Sequence, residues 1–228
     1  MMRIVFLGDS LTWGGYGGNF VDQVAQRLPE YEIINAGVGG DTVVNLLRRL
    51  DIVLETHAPD AVFVMVGGND ATSYTMPKTQ GYYRKAKQLE EGMVTPEEFE
   101  TTYRELLLQL QVNLVQALVG IAPTEYSAEL IQAKQAYNAR ARQVAQALNI
   151  PVLDLDTPFT PENPIERPEV DIAFIQQIGD RSRSGWNDYE SERARWGYTY
   201  TFDGMHILPS TAEAFAERII AFLRAELG

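Results

Sequence analysis

Short runs of consecutive apolar residues alternate along the chain with longer segments in which apolar residues recur at helical spacing. The runs are rich in branched side chains and predict buried strands at 4–7, 32–35, 61–66, 114–121 and 152–155. Two of the intervening stripes consist of Val43, Leu46, Leu47, Leu50, Val53 and Leu54, and of Phe99, Tyr103, Leu106, Leu107 and Leu110. This alternating order with continuously apolar strands predicts a parallel sheet that is covered by helices on both faces.

Capping sequences predict where two of the helices begin. Thr95 is followed by Pro96 and then by Glu98, which is the pattern of a capping box with proline in the first turn. Ser210 and Glu213 have the same spacing ahead of the last apolar stripe, so we expect Ser210 to cap the last helix.

Two long connections interrupt this rhythm, and we call them the first insertion (71–94) and the second insertion (156–202). Both contain several aromatic residues, and the second also contains four prolines. Connections of this length are uncommon inside a compact domain and are typical of lids or binding loops. Each follows the carboxyl end of a strand, where open α/β sheets bind their ligands. We therefore expect one domain over 1–228 with two lid-like insertions.

Length and charge narrow the class of protein. A chain of 228 residues with 45% hydrophobic residues is expected to fold around one core. The net charge of −12 disfavours nucleic acid and anionic membranes as partners. The first predicted strand begins almost at the first residue, and no apolar run is long enough to span a membrane, so we expect a cytoplasmic protein. The sequence contains no cysteine, so we expect no disulfides. The oligomeric state stays open.

Several common cofactor motifs are missing. The sequence has no Gly-Lys-Ser/Thr loop, and its glycine clusters at 14–18 and 37–40 do not fit the dinucleotide fingerprint in any register. Its two histidines, His57 and His206, are not part of a His-Glu-x-x-His motif, which argues against a zinc hydrolase. We therefore expect a protein that uses neither a metal nor an organic cofactor.

Four polar blocks remain, and each follows a predicted strand or precedes a helix. They are Gly-Asp-Ser-Leu at 8–11, Asn-Ala-Gly-Val-Gly-Gly-Asp-Thr at 35–42, Gly-Gly-Asn-Asp at 67–70 and Asp-Gly-Met-His at 203–206. In this order they resemble the SGNH, or GDSL-type, hydrolase family over nearly the whole chain. The resemblance implies a flavodoxin-like three-layer α/β/α sandwich with a parallel five-stranded sheet, and a serine esterase or lipase activity.

The chemistry of an ester hydrolase explains why these residue types stand in these blocks. The hydroxyl of Ser10 needs a base to become a nucleophile, and His206 has the suitable pKa range. Asp203 precedes His206 by three residues, close enough to orient its imidazole. The resemblance further implies an oxyanion hole made of the backbone amides of Ser10 and Gly40 and the side-chain amide of Asn69.

Each block alone has an ordinary structural explanation. Ser10 is a typical helix cap, Asn69 a typical turn residue, and His206 a plausible solvated loop residue. The coincidence of all four blocks favours the catalytic interpretation.

Aromatic residues near the blocks and in the insertions are candidates for substrate binding. We expect Trp13, Tyr74, Trp186 and Trp196 to contact the substrate, while a small core within the second insertion is an alternative use for its aromatic residues. We also expect 74–84 and 181–200 to fold over the edge that holds Ser10.

The resulting hypothesis is hydrolysis of a small carboxylic ester, acetyl or short acyl, through an acyl-enzyme. The partner is then a small-molecule ester. A thioesterase or a lysophospholipase of the same family is an alternative, and so is a non-catalytic binding protein that has the same fold.

Overall fold

The computed structural model describes residues 1–228 and contains one parallel sheet of five strands. The strands are β1 (Met2–Gly8), β2 (Tyr31–Gly37), β3 (Ala61–Met65), β4 (Gln116–Ile121) and β5 (Val152–Asp154). Their spatial order is β2-β1-β3-β4-β5, which is the flavodoxin-like order of doubly wound sheets. The predicted fold class is therefore confirmed, and each predicted strand differs from the observed one by only a few residues at its ends.

Ten helices connect and cover the strands. They are α1 (Ser10–Trp13), α2 (Phe20–Arg27), α3 (Val43–His57), α4 (Gly68–Thr75), α5 (Gln80–Ala86), α6 (Pro96–Val112), α7 (Ala128–Ala147), α8 (Ile172–Ser184), α9 (Tyr189–Trp196) and α10 (Pro209–Leu227), with short 3-10 turns at Pro77–Thr79 and Thr157–Phe159. None of them combines the length and the apolar character that crossing a membrane requires.

Alternate residues of the central strands point into two separate cores. On β1, Val5 and Leu7 face the core that packs against α3, α6 and α7, whereas Ile4 and Phe6 face the core against α2 and α10. The side chains of successive strand residues project to opposite faces, so a strand buried on both sides must be apolar throughout. This is the origin of the continuous apolar runs in the sequence, and it makes the molecule a three-layer sandwich.

The predicted cap is right for α6 and wrong for α10. Thr95 accepts a hydrogen bond from the backbone of Glu98 at 3.1 Å, as expected. The last helix instead begins at Pro209, with Leu208 as its N-cap. Proline suits the first helical position because its backbone torsion is already helical and it has no N–H to satisfy. The helix therefore begins at Pro209, two residues before the start at Thr211 that would make Ser210 the cap.

The two insertions differ in how deeply they are packed. The first is largely helical, and its Tyr83, Leu89 and Val94 are buried in the core beneath α3 and α6. In the second, neither α8 nor α9 contributes a buried residue, and the buried residues lie in the segments before α8 and after α9. The lid-like behaviour expected of both segments stays a prediction.

Candidate active site

The four polar blocks come together at the carboxyl edge of the sheet. Ser10 is the first residue of α1, directly after β1, and Asp9 caps this short helix by accepting a hydrogen bond from Leu11 N at 3.0 Å. Asn69 lies in the first turn of α4 after β3, and His206 precedes α10. Because parallel strands all end at the same edge, residues far apart in sequence meet there.

A chain of hydrogen bonds joins three of the predicted residues. His206 Nε2 lies 3.1 Å from Ser10 Oγ, and His206 Nδ1 lies 2.8 Å from Asp203 Oδ2. The other carboxylate oxygen, Oδ1, accepts from the backbone N–H groups of Met205 at 2.9 Å and His206 at 2.7 Å. Asp203 is therefore fixed by its own loop, and it holds the imidazole with Nε2 directed at the serine. This arrangement can take a proton from Ser10.

Charge interactions inside the site shift the pKa of both partners. Burial alone would lower the pKa of His206, but the charge and hydrogen bond of Asp203 outweigh it and raise that pKa above its ordinary value. Burial would raise the pKa of Asp203, yet the attraction of His206 and the hydrogen bonds that the carboxylate accepts lower it. Both shifts of pKa favour the charged forms, in which Asp203 is a carboxylate and His206 is an imidazolium.

Glu125, in the connection between β4 and α7, holds the chain just before Asp203. Its buried carboxylate accepts hydrogen bonds from the backbone N–H groups of Thr199, Tyr200 and Thr201 at 2.6–2.9 Å, and from the Thr201 hydroxyl at 2.8 Å. The N–H of Glu125 in turn donates to the carbonyl of Gly204 at 2.9 Å. The sequence contains no motif that marks Glu125, because its partners follow it by more than 70 residues.

The predicted oxyanion groups line the same cavity as Ser10. Gly40 has a positive φ of 79°, a conformation that suits glycine, and its N–H meets no acceptor within the protein. The side-chain nitrogen of Asn69 donates one hydrogen to the carbonyl of Asp41 at 3.1 Å, which leaves its second hydrogen available. Both groups thus have a hydrogen available on the cavity that also contains Ser10.

The cavity that contains Ser10 has a volume of about 770 Å³, within the range of small-molecule sites. Its floor includes Ser10, His206, Gly40 and Asn69. The helix α8 of the second insertion forms much of the opposite wall through Phe174, Ile175, Ile178, Ser182 and Arg183, and the first insertion adds Tyr82 and Tyr83. Both insertions therefore border the site, as the sequence predicts.

Only one of the four predicted aromatic contacts lies on this cavity. Trp13 lines it and is 42% exposed. Tyr74 is also exposed, but it lies on α4 outside the lining. Trp186 is not in the lining either: its ring packs against Tyr16, which does line the cavity, at 6.2 Å and against Tyr189 at 5.4 Å between ring centres. Neither Tyr74 nor Trp186 therefore lines the cavity, and the expectation that they contact the substrate stays a prediction.

Trp196 is likewise not part of the cavity wall. The guanidinium of Arg167 lies 3.8 Å from the centre of its ring, and its Nε1 donates to Glu192 at 2.9 Å. A cation stacked on indole is a stabilising contact in its own right. Trp186 and Trp196 thus pack in small clusters, Trp186 together with Tyr16 and Tyr189 and Trp196 with Arg167, whereas Phe174 of the same insertion lines the cavity.

Buried charged residues lie behind the site. Asp70 accepts a hydrogen bond from Val43 N at 3.0 Å, and burial raises the pKa of Asp70 to about 7. Lys134 is 2% exposed, lines the cavity and donates to the carbonyl of Val66 at 3.3 Å. No group of three or more His, Asp or Glu side chains is arranged to hold a metal ion.

Comparisons with known proteins find a family model and several relatives of this sequence. Residues 6–172 match the model of the GDSL-like lipase/acylhydrolase family. An acetylxylan esterase of Geobacillus stearothermophilus is 26% identical over 180 residues, which span 69% of this chain and 77% of that protein. An arylesterase of Vibrio mimicus is 31% identical over 83 residues, which span 33% of this chain and only 42% of the arylesterase.

Solved structures with the same fold include an acetyl xylan esterase, AlAXEase, with a TM-score of 0.68 and 19% identity, covering 97% of this chain and all of that one. A lipase/acylhydrolase from Enterococcus faecalis has a TM-score of 0.65 and 20% identity, covering 99% and 96% of the two chains. At these identities the structures establish the fold alone.

Proposed function

Because the chain belongs to the GDSL-like lipase/acylhydrolase family, we propose that it is a serine esterase that cleaves a small carboxylic ester through an acyl-enzyme. One observation carries the proposal. The imidazole of His206 bridges Ser10 Oγ and the carboxylate of Asp203 within hydrogen-bond distance, on the wall of a cavity that can hold a small molecule.

The proposed reaction has two halves. Ser10 Oγ attacks the ester carbonyl carbon while His206 Nε2 takes the hydroxyl proton, and the carbonyl oxygen becomes an oxyanion. The backbone amides of Ser10 and Gly40 and the Asn69 side chain donate to that oxyanion. The imidazolium then protonates the leaving alcohol and an acyl-Ser10 remains. Water, deprotonated by His206, attacks the acyl carbon and releases the acid and the free serine.

This mechanism requires neutral His206 in the free enzyme. Asp203 raises the pKa of His206, so the proton is held until the pH rises above the ordinary histidine value of 6.5. We expect kcat/KM to fall as the pH drops through a single ionisation above that value. The test is a measurement of kcat/KM between pH 5 and 8 in one buffer series. A value that stays constant over this range would contradict the role of His206 as the base.

The proposed substrate is an acetyl or short acyl ester of a polar compound. Relatives that carry the name acetylxylan esterase support this choice. So does the mixed lining of the cavity, in which Thr72, Thr124 and Ser182 accompany the apolar side chains. The strongly acidic composition supports the further proposal that nucleic acid and anionic membranes are not partners. The cytoplasmic location expected from the sequence stays a proposal.

Substitution of the nucleophile tests the proposed function. We expect Ser10→Ala to lower kcat by about 10⁶ and to abolish labelling by a fluorophosphonate probe, with the fold intact. Ser191→Ala, on the exposed side of α9, is the matched control and is expected to hydrolyse p-nitrophenyl acetate like the wild type. If Ser10→Ala retains more than a tenth of the wild-type rate, Ser10 is not the nucleophile. If the wild type takes no label, the result favours the alternative of a non-catalytic binding protein with the same fold.

A panel of substrates tests the acyl preference. We expect the highest kcat/KM for acetyl and other short acyl esters, including acetylated sugars, and lower values for long-chain p-nitrophenyl esters, acyl thioesters and lysophospholipids. A preference for thioesters or for lysophospholipids would select one of the other activities within the family.

A further inference from the structure

The peptide group between Gly39 and Gly40 sets the direction of one proposed oxyanion donor. The protein has no cis peptide bond, so in this group the carbonyl and the N–H point in opposite directions. Whatever fixes the Gly39 carbonyl therefore also fixes the direction of the Gly40 N–H. Both glycines line the cavity, and the position of a Cβ on Gly39 would lie 4.0 Å from Cβ of Ser10.

The ammonium group of Lys87 holds that carbonyl. Lys87 follows α5 directly, and its Nζ donates to the carbonyl oxygen of Gly39 and, at 2.9 Å, to Oδ1 of Asp41. The Lys87 side chain is 12% exposed and that of Asp41 is 4% exposed, so solvent screens the contact little. A cation on the carbonyl oxygen also polarises the peptide group, which makes its N–H a stronger donor.

Gly40 lies close to two side chains of the first insertion. A Cβ on Gly40 would lie 2.3 Å from the Tyr82 hydroxyl and 2.7 Å from Cε of Lys87. A side chain at this position would force Tyr82 or Lys87 to move, and the positive φ of 79° also favours glycine here.

The other end of the contact is anchored to α3. The Asn45 side chain donates to the carbonyl of Lys87 at 2.8 Å, and Arg48 donates to the carbonyl of Gln88 at 3.0 Å. Lys87 is therefore held at its backbone as well as at its charged end, which distinguishes it from a solvated surface lysine.

The same segment also orients the second donor. The hydroxyl of Tyr83 donates to Oδ1 of Asn69 at 2.9 Å, while the side-chain nitrogen of Asn69 donates to the carbonyl of Asp41. Together these bonds define which end of the amide is nitrogen, and they leave one N–H of Asn69 unused.

We propose that Lys87 is a positioning residue for the oxyanion hole, which it serves by holding the Gly39 carbonyl so that the Gly40 N–H points at the substrate. Tyr83 has the parallel role for Asn69. This inference rests on the proposed function, since an oxyanion hole has a use only if Ser10 attacks an ester.

The test compares Lys87→Met with Lys85→Met. Lys85 lies on α5, is exposed and forms no ion pair, so both variants lose one positive charge from the same segment. We expect Lys87→Met to lower kcat for p-nitrophenyl acetate by about 10–100-fold, below the full loss of a donor, with KM within about threefold. Lys85→Met should match the wild type, and Lys87→Arg should recover part of kcat.

An inhibitor pair separates positioning from general damage. A trifluoromethyl ketone adds to the serine and forms a tetrahedral oxyanion, whereas the corresponding methyl ketone serves as the planar reference. We expect Lys87→Met to weaken the binding of the trifluoromethyl ketone by about the same factor by which it lowers kcat. The affinity for the methyl ketone should stay unchanged. If Lys87→Met does not fold, Lys87→Gln and Lys85→Gln are compared in the same way.

The outcomes distinguish the two proposals. If the wild type and Lys85→Met hydrolyse esters and Lys87→Met equals them in kcat and ketone affinity, the role of Lys87 is refuted while the esterase stands. An equal loss of affinity for both ketones would also refute this role. The substitution would then disturb the cavity as a whole and not the oxyanion hole in particular. If the wild type hydrolyses no ester and its Ser10 takes no probe, the proposed function fails first.

Discussion

The two insertions look alike in the sequence and behave differently in the structure. Both leave strands at the edge of the sheet that holds Ser10, and both are rich in aromatic residues. The first places Tyr83, Leu89 and Val94 in the main core and ties Lys87 to the Gly39 carbonyl. The second forms the outer wall of the cavity through α8, a helix without a buried residue.

This difference in packing agrees with the different roles that we propose for the two insertions. Donors to an oxyanion must be held to within about half an ångström, which calls for elements fixed by the core. A pocket wall needs less precision, and a loosely packed helix can adjust to different substrates or open for release. We therefore expect changes in the first insertion to act on kcat and changes in α8 to act on KM and on the ranking of substrates.

The largest effect is expected at Asn69, the donor that the first insertion orients. Asn69→Ala removes the side-chain amide and should lower kcat by about 10²–10³ with little change in KM. Stopped-flow and steady-state kinetics with p-nitrophenyl acetate measure both constants. A loss that falls mainly on KM would mean that Asn69 binds the ground state, and the contrast between the two insertions would weaken.

A smaller and different effect is expected at Phe174 on α8. Phe174→Ala removes a ring from the cavity wall, and we expect KM for butyrate and longer esters to rise about 10-fold while kcat for acetate stays near wild type. Ile172→Ala, at the exposed start of the same helix, is the matched control. Equal effects of Phe174→Ala on every ester would contradict a role of α8 in selecting the acyl group.

The smallest effect on the reaction is expected at Asp70, which binds the first turn of α3 to α4. Burial raises the pKa of Asp70 to about 7, so between roughly pH 4 and 7 the folded state retains a proton that the unfolded state has lost. The free energy of unfolding should therefore fall as the pH rises, by at most about 1.4 kcal/mol per pH unit for one proton.

Asp70→Asn cannot ionise and its side-chain oxygen can still accept from Val43 N, so its stability should lack this decline. Urea unfolding at several pH values measures the slope, with the exposed Asp51→Asn as control. The same slope in Asp70→Asn as in the wild type would show that another group binds the proton.

The fold was predictable because burial on both faces of the sheet leaves a direct trace in the sequence. The strand β3 is apolar at every position, β1 is apolar from Ile4 to Leu7, and helices such as α6 show a stripe at helical spacing. The residues that meet at Ser10 were also predictable, because four short blocks stand at the ends of these elements.

The residues around the site were harder to predict because sequence shows composition without direction. Trp186 and Trp196 are aromatic residues in a cavity-forming segment, yet neither lines the cavity: Trp186 packs behind Tyr16, and Trp196 packs against Arg167. Lys87 stands in a basic run that resembles a solvated helix face. Only the fold brings it against Asp41, which lies 46 positions earlier in the chain.

The most direct test of the division between the two insertions is a crystal structure with a short-chain alkyl phosphonate bound covalently to Ser10. We expect the phosphonyl oxygen to lie about 3 Å from the backbone nitrogens of Ser10 and Gly40 and from the side-chain nitrogen of Asn69, with the contacts of Lys87 and Tyr83 retained. The alkyl group should lie against α8. An oxygen that points to solvent, or an alkyl group that leaves α8 untouched, would contradict the account.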